Sequence, residues 1–512
     1  MERLHPDHLG TLAAGVARPS YDRVALRPGI VHLGLGAFAR AHLAVVNDAT
    51  IKASGDLRWG IVGVSLRRPD TRDALKPQAG LYSVALRDAA ADGRPREALQ
   101  VVGCVLEVLV APENPAAVLA RLADDETRIV SLTITENGYA RGAVEGALAA
   151  GDADMAHDLT NPEAPRSALG FIVHALALRR ARAAAPLTLL SCDNLPANGD
   201  TLRALVLDFA SRVDASLADW IGAHCSFPNS MVDRIVPRTT DADRDAVSSS
   251  LGLTDAWPVV AEPFLDWVIE DRFANGRPEW ERGGARFVER VEPFEKLKLR
   301  MVNGAHSALA YLGVVAGWTT VDRAVAVPAL RRYLETMMIE EIVPTLPPIA
   351  GLDHDDYRAR LLQRFTNPAL QHATLQIAAD GSQKLPQRLL DTVRERIAQN
   401  RSYDRLALAI AGWIHYLRGR DEHDAPYPIV DPLAAELNAR LAPLERSVHD
   451  GVAHFTAFEP VFGDLGRDRR FVSSVARHLL ALRQRGVALT LEAQPLATAA
   501  TPLDRVPGVT TA

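Results

Sequence analysis

Three polar residues on one short stretch could do acid–base chemistry. Lys298, Asn303 and His306 fall within Phe294–Gly313, FEKLKLRMVNGAHSALAYLG, and the apolar run Ala308–Leu312 follows at once. With residues 296–312 read as an α-helix, about 100° per residue puts Asn303 about 140° and His306 about 80° round from Lys298, so all three can line one pocket. A lysine desolvated beside an amide and an imidazole suits a base of lowered pKa. An amphipathic helix with ordinary surface polar groups would carry the same residue types, so the rest of the chain must decide.

A second constellation lies near the start. In GIVHLGLGAFARAHLAVVND, residues 29–48, Ile30–Leu33 reads as a strand, Gly34, Gly36 and Ala39 make G-x-G-x-x-A, and a helix can open from Arg40. That order serves a dinucleotide: a tight turn, a close backbone approach to pyrophosphate, and close packing of helix on strand. Its alternative is a glycine turn in some other strand–helix unit. The next strand, Gly60–Leu66, ends in Arg67, Arg68, Pro69 and Asp70. Asp70 is the carboxylate expected to grip the ribose hydroxyls of NAD, or else a helix N-cap; the two arginines keep NADP open through a 2′-phosphate.

Further candidates sit where open α/β sheets place ligands, just past strand ends. The run Ile129–Thr135 delivers Glu136, which could also be a solvated loop carboxylate, and Pro186–Ser191 delivers Asn194. A neutral amide there can donate to a developing alkoxide, or close an Asx turn before Pro196. Phe227–Pro237 carries the pair Asp233 and Arg234.

These residues need elements to hold them. Short apolar strands alternating with helices, among them Leu9–Val16, Pro115–Ala123, Ser167–Ala185 and Leu202–Leu217, fill the first half. Tyr82–Leu86 and Leu99–Leu109 read as β-rich, strands of the same sheet or a hairpin beside it. From about residue 290 helical periodicity dominates, over 305–317, 327–343, 354–366, 387–399, 403–419, 432–441 and 469–486. The expected organisation is α/β: a Rossmann-type dinucleotide-binding domain over 1–288, a mainly α-helical catalytic domain over 289–490, and a flexible Ala/Thr/Pro-rich tail over 491–512.

Composition sets the class. The chain has 512 residues, 57 basic and 63 acidic, for a net charge of −6. It is long enough for two domains and too nearly balanced in charge for a general nucleic-acid or membrane-surface binder. Hydrophobic residues make up 48% and charged ones 23%, as in soluble globular chains. Cys104, Cys192 and Cys225 are far apart and form no CxxC, so no disulfide framework or zinc site is expected and a cytoplasmic setting fits. No apolar run reaches the roughly 18 residues a bilayer span needs, and the N-terminus has no signal-peptide pattern.

Together the segments GLGAFARAH (34–42), SLTITENGY (131–139), SCDNLPANG (191–199), FPNSMVDRIVP (227–237), EPFLDWVIEDRFANGRPEW (262–280) and the motif around KLRMVNGAH (298–306) resemble the polyol-specific long-chain dehydrogenases, the mannitol dehydrogenase and fructuronate reductase family. The resemblance covers roughly residues 20–490. It implies a metal-independent hydride transfer between NAD(P) and a secondary alcohol, with the active site between the two domains and a monomeric enzyme. It makes Lys298 the acid/base and gives Asn303 and Asn194 the oxyanion pocket. His306 holds the substrate oxygen, Glu136 affects proton movement to solvent, and Asp233 lies near the nicotinamide pocket. Gly34, Gly36, Phe38, Ala39, Arg40 and Asp70 are the cofactor-binding residues it carries over. DGSQKLPQRLLD at 380–391, with Arg300, looks more like the fructuronate reductase branch. Lys384, Arg300 or Arg388 would then meet a sugar acid's carboxylate. Otherwise the arginines are structural, Lys384 meets a neutral hydroxyl, and the substrate pair is D-mannitol and D-fructose. A catalytically silent dinucleotide-binding protein would have no need of Lys298, Asn303, His306 and Asn194 together.

Overall fold

The computed structural model describes residues 1–89, 94–134, 136–139, 148 and 152–495. The chain divides into two compact units, Met1–Glu295 and Lys296–Ala512. Among the described residues no helix is long and apolar enough to cross a membrane.

The strands of the first unit, in chain order, are β1 (Ile30–Leu33), β2 (Ile61–Ser65), β3 (Tyr82–Ala89), β4 (Pro95–Val102), β5 (Val105–Val110), β6 (Ile129–Leu132), β7 (Thr188–Ser191), β8 (Ser230–Asp233), β9 (Val259–Ala261), β10 (Asp266–Glu270) and β11 (Arg286–Val288). Five form one sheet in the order β5-β2-β1-β6-β7, with every pairing parallel. The order reverses between β1 and β6, the switch point where doubly wound sheets take their ligands. Alternate residues feed opposite faces. Val31, Leu33, Val130, Leu132 and Leu189 enter one core with the helices Pro115–Ala123, Ala168–Ala181 and Asn198–Val213; Ile30, Ile61, Ile129 and Leu190 enter another with the helix Leu43–Ser54 and Trp267. Burial on both faces explains why these strands read as unbroken apolar runs.

Three expectations change in detail. The β-rich run 99–109 splits at Gly103: β4 joins the sheet β4-β3-β9, and β5 becomes the edge of the parallel sheet. A Cβ on Gly103 would stand 2.4 Å from Pro19 Cγ, so only glycine fits this corner. The long helix expected from Leu202 is two helices, broken at Asp214, whose side chain accepts from Ser216 N at 2.9 Å and starts Ala215–His224. The expected helix over Leu9–Val16 is instead a 3-10 turn over Pro6–Thr11.

The second unit is built round two helices buried on every side, Ala305–Val315 and Asp404–Tyr416. They pack closely where Gly412 faces Leu312: a Cβ there would lie 2.8 Å from Leu312 Cδ2. The last helix, Arg469–Glu492, lies against Asp404–Tyr416, breaks locally at Gly486, and runs past the end expected for the ordered chain. The rest of the expected tail, 496–512, lies outside the described residues. Among the described residues three segments are π-helical: Lys298–Gly304, Met337–Ile342 and Pro386–Leu390. Pro386 has no N–H to continue an i→i−4 ladder, which accounts for the wider turn there.

Candidate functional site

A cavity of about 1040 Å³ opens at the carboxyl ends of β1, β2 and β6. Its walls include Gly34, Gly36, Ser65, Arg67, Arg68, Asp70 and Thr133. At Gly34 φ is +87°, and a Cβ would stand 2.2 Å from Thr133 O, so the turn both twists left-handed and touches the neighbouring strand. At Gly36 the nearest atom to a Cβ would be 3.8 Å away, which leaves that side open to an incoming group. Both features are what a pyrophosphate-binding turn requires. Asp70 is the first residue of the helix Asp70–Leu75 and lies 3.7 Å from Arg68, both side chains well exposed.

A buried hydrogen-bond chain fixes this turn. His32, in the middle of β1, lies 2.8 Å from Ser131 Oγ through Nδ1 and 2.9 Å from Thr133 Oγ1 through Nε2. Thr133 Oγ1 donates to Gly34 O at 2.8 Å, and Gly36 N donates to the same carbonyl at 2.6 Å. Because the threonine proton is used on Gly34, the ring must donate from Nε2 and accept at Nδ1. Burial pushes the His32 pKa down to about 4, so the ring is neutral at pH 7.

The other cofactor candidates hold the turn from behind and do not line the cavity. Ala39 is in the core, and Phe38 stacks on His42 with ring centroids 5.1 Å apart. Arg40 is buried between Tyr82 and Trp257, its guanidinium carbon 5.3 and 5.8 Å from their ring centroids, and it donates to Trp257 O. Asp233 ends β8, in the separate sheet β11-β10-β8, opposite Asp266. Its neighbour Arg234 donates to Ala41 O and, at 2.9 Å, to Glu262 O, bracing the helix Ala37–Ala41.

Asn194 is exposed just past β7, in a loop pinned at both ends. Before it, Asp193 accepts from Tyr139 OH at 2.7 Å and Ile134 N at 3.1 Å, joining the ends of β6 and β7. After it, the Asn198 amide donates to Asp193 O and Ser230 O at 3.0 and 2.8 Å. Glu136 opens the 3-10 turn Glu136–Tyr139; its side chain lies outside the described residues.

In the second unit Lys298, Asn303 and His306 are all buried, at 6%, 7% and 8% exposure. Lys298 and Asn303 both belong to the π-helical segment, and His306 to the α-helix that continues it. An i→i+5 ladder sets residues five apart on one face, as an α-helix does for residues four apart. Lys298 and Asn303 therefore share a face, and Asn303 and His306, three apart, are neighbours on it. Asn303 Nδ2 and His306 Nε2 are buried without a hydrogen-bond partner, an arrangement that a bound oxygen would satisfy. Burial, followed by His372, Arg388, Arg364 and Lys384, holds the His306 pKa well below 6.5, so its imidazole is neutral.

The candidate carboxylate readers are placed differently from one another. Arg300 makes a two-pronged pair with Glu395, at 2.8 and 2.6 Å, which Lys296 shares at 3.0 Å. Arg388 donates from Nη1 to Ser307 Oγ at 3.2 Å, beside His306. Its backbone also comes close, since a Cβ on Gly304 would stand 2.9 Å from Arg388 O. Lys384 Nζ donates to Ala379 O at 2.6 Å. His306 stacks on Phe365 with centroids 4.8 Å apart, and Arg364 precedes that phenylalanine.

Trp257, Arg166 and Ser167 also line the dinucleotide-sized cavity, and sequence reasoning missed them. They come from loops far from the glycine turn, and no local spacing announces them. Buried carboxylates set their positions: Asp255 accepts from Trp257 N at 2.9 Å, and Asp158 from the Arg166 and Ser167 amides at 2.8 Å each. Among the described residues no three His, Cys, Asp or Glu side chains group as a metal site would require.

Known proteins share this arrangement. The pattern of the mannitol dehydrogenase Rossmann domain matches residues 28–282, and that of the mannitol dehydrogenase C-terminal domain matches 290–483. The D-mannonate oxidoreductase of Escherichia coli K12 is 42% identical over 477 residues, 92% of this chain and 96% of that one. A mannitol dehydrogenase of Saccharomyces cerevisiae is 38% identical over 472 residues, 91% of this chain and 92% of that one. The solved Pseudomonas fluorescens mannitol 2-dehydrogenase, a ternary complex with NAD and D-mannitol, aligns with a TM-score of 0.90 at 38% identity over 96% of this chain and 99% of that one. With both of its units matched, and over nine-tenths of its length aligned to these relatives, the chain belongs to the mannitol dehydrogenase family of oxidoreductases.

Proposed function

We propose that this enzyme interconverts a ketone and a secondary alcohol on a linear sugar acid, D-fructuronate and D-mannonate, with NAD as cofactor and Lys298 as a metal-independent acid/base. One observation carries the choice of substrate class. Three cations, Arg388, Arg364 and Lys384, lie near enough to the neutral, buried His306 to lower its pKa. A carboxylate bound beside His306 would be attracted by charge to all three, which a neutral polyol would not. The 42% identity to a D-mannonate oxidoreductase supports the same reading.

The cavity beside Gly34 and Gly36 fits a dinucleotide in size and in its open glycine face. NAD, when bound, supplies or accepts the hydride. Asp70 is the residue proposed to hold the ribose hydroxyls; Arg67 and Arg68 beside it leave NADP a candidate. In reduction Lys298 gives its proton to the carbonyl oxygen as negative charge develops there. In oxidation the neutral amine takes the hydroxyl proton. Asn303 and Asn194 donate hydrogen bonds to that oxygen, and the neutral His306 orients it without competing as an acid. Glu136 is assigned the exchange of the lysine's proton with solvent, and Asp233 a place beside the nicotinamide. Lys384 and Arg388 hold the carboxylate; Arg300 serves the pair with Glu395.

A second reading is D-mannitol and D-fructose, favoured by the likeness to the Pseudomonas fluorescens enzyme. Steady-state reduction of D-fructuronate against D-fructose, each with NADH and NADPH, separates the two. A much higher kcat/KM for fructuronate with NADH is expected. Fructose as good or better would overturn the sugar-acid reading, and NADPH as the better reductant would overturn the NAD assignment.

A further inference from the structure

We infer that His372, which the catalytic set leaves out, is a substrate-binding residue: its Nδ1 hydrogen-bonds the carboxylate end of the sugar acid beside His306. The inference rests on the sugar-acid reading above and adds to it the residue that distinguishes acid from polyol.

The backbone around His372 is fastened without help from the imidazole. His372 O accepts from Val321 N at 3.0 Å, and Thr374 N donates to Thr319 O at 3.1 Å. Thr374 Oγ1 donates to Trp318 O at 2.8 Å. The ring itself stands edge-on to His306, with centroids 5.2 Å apart and planes at 73°. Its Nδ1 is buried and has no hydrogen-bond partner. A buried polar atom without a partner destabilises the fold, and this one returns nothing to it. His306 Nε2 and Asn303 Nδ2 are in the same condition, so three neighbouring residues each hold a polar atom that the protein leaves unsatisfied. A ligand bearing several oxygens would satisfy them together.

The segment that presents the ring is also held under strain. Gln371, immediately before His372, has φ +47°, and Asp380, at the far end of the segment, has φ +55°. Non-glycine residues adopt this left-handed conformation at a cost, and such strain gathers where a ligand clamp must be shaped. Between these two kinks lies the short helix Thr374–Ala378; beyond the second comes Lys384, a charge that bears on both imidazoles. The segment therefore carries both a cation and an unsatisfied ring nitrogen, and the carboxylate of a sugar acid is the group that gains most from meeting both.

The test compares wild type with His372→Ala, His372→Asn and His372→Gln. Asparagine places its amide near the position of Nδ1; glutamine places its amide near Nε2. Expected for His372→Ala is a rise in KM for D-fructuronate of about ten- to a hundredfold, the usual size for a lost hydrogen bond to a charged group, with kcat and NADH binding nearly unchanged. Expected also is a smaller effect on D-fructose, recovery in His372→Asn and none in His372→Gln. An unchanged fructuronate KM overturns the assignment, as does an equal loss on fructose and fructuronate. Recovery by glutamine alone overturns the choice of Nδ1. Should the alanine variant fail to fold, the asparagine and glutamine pair still decides. A wild type that prefers fructose removes the sugar-acid reading itself, whereas a wild type that prefers fructuronate and ignores His372 removes this inference alone.

Discussion

His32 gives a prediction whose size follows from the structure. The residue is fully buried, and burial lowers its pKa from 6.5 to about 4. In the unfolded chain the ring binds a proton near pH 6.5; in the folded chain it resists one until about pH 4. Between those values the unfolded state holds more protons, so stability falls as pH falls. The full contribution is present above pH 6.5. By pH 4 about 3 kcal/mol of it is gone, from 2.5 units at about 1.4 kcal/mol each less the half-protonation of the folded ring. His32→Asn removes the titrating group and keeps an amide near Ser131 and Thr133. The assay is urea denaturation of both proteins at pH 7, 6, 5 and 4. Wild type should lose about 3 kcal/mol more than the variant across that range, since all other groups titrate alike in the two. Parallel losses would refute the idea that a neutral His32 is held in place by the fold. The same variant tests the link to the cofactor turn. Thr133 should hold Gly34 O less firmly, and KM for NADH should rise while kcat stays close to wild type.

Further outcomes are expected. Lys298→Ala should lower kcat in both directions by about 10²–10⁴, the usual contribution of a positioned acid/base, with NADH binding by fluorescence titration unchanged. The pH optimum for alcohol oxidation should lie above that for ketone reduction, because Lys298 must be neutral for the first and protonated for the second; initial-rate pH profiles in each direction check this. Gly34→Ala should cost at least about 2 kcal/mol, from a left-handed φ together with a Cβ pressed on Thr133 O, and should raise KM for NADH; thermal melts and kinetics read both. Arg300→Lys keeps the charge but loses the two-pronged fit to Glu395. It should lower the melting temperature and leave KM for the sugar acid almost unmoved; a large rise in that KM would return Arg300 to the substrate.

Much of the first unit is legible in the sequence because its signals are local. A β-branched run, a glycine turn and a helix follow one another at 30–48, and the turn meets the same physical demands in the fold as on paper. The cavity's far wall is not legible in the same way. Trp257, Arg166 and Ser167 reach it because Asp255 and Asp158, buried carboxylates only two to nine residues from them but far from the glycine turn in the chain, hold their backbone amides. Arg40 reads as a cofactor residue by its place in the motif, yet its guanidinium is spent on Trp257 and Tyr82. The motif fixes where the chain turns; which of its side chains face the ligand depends on partners far along the chain, for Arg40 as far as Trp257. Arg300 shows the same limit, since nothing in KLRM reveals that Glu395 will occupy its fork.

The stretch proposed as catalytic adds a different lesson, about periodicity. In an α-helix from 296 to 312 Lys298 and Asn303 would lie about 140° apart round the axis, and one pocket would have to be wide to take both. The π-helical turn removes that difficulty by inserting one residue between them: the i→i+5 ladder returns Asn303 to the face of Lys298, and the α-helix beyond it sets His306 alongside. A wider turn is poorer in packing and in hydrogen-bond geometry, so it survives only where something else holds it. Here Gly304 ends the segment and lets the carbonyl of Arg388 approach to where a side chain would collide, and Arg388 itself belongs to a second π-helical turn started by Pro386. Glycine and proline thus shape both turns and bring them together. The result is that Lys298, Asn303 and His306 are buried on one face, with Arg388 of the neighbouring turn beside them. Residue types alone propose that site; the register that makes it workable is written in a glycine and a proline with no chemistry of their own.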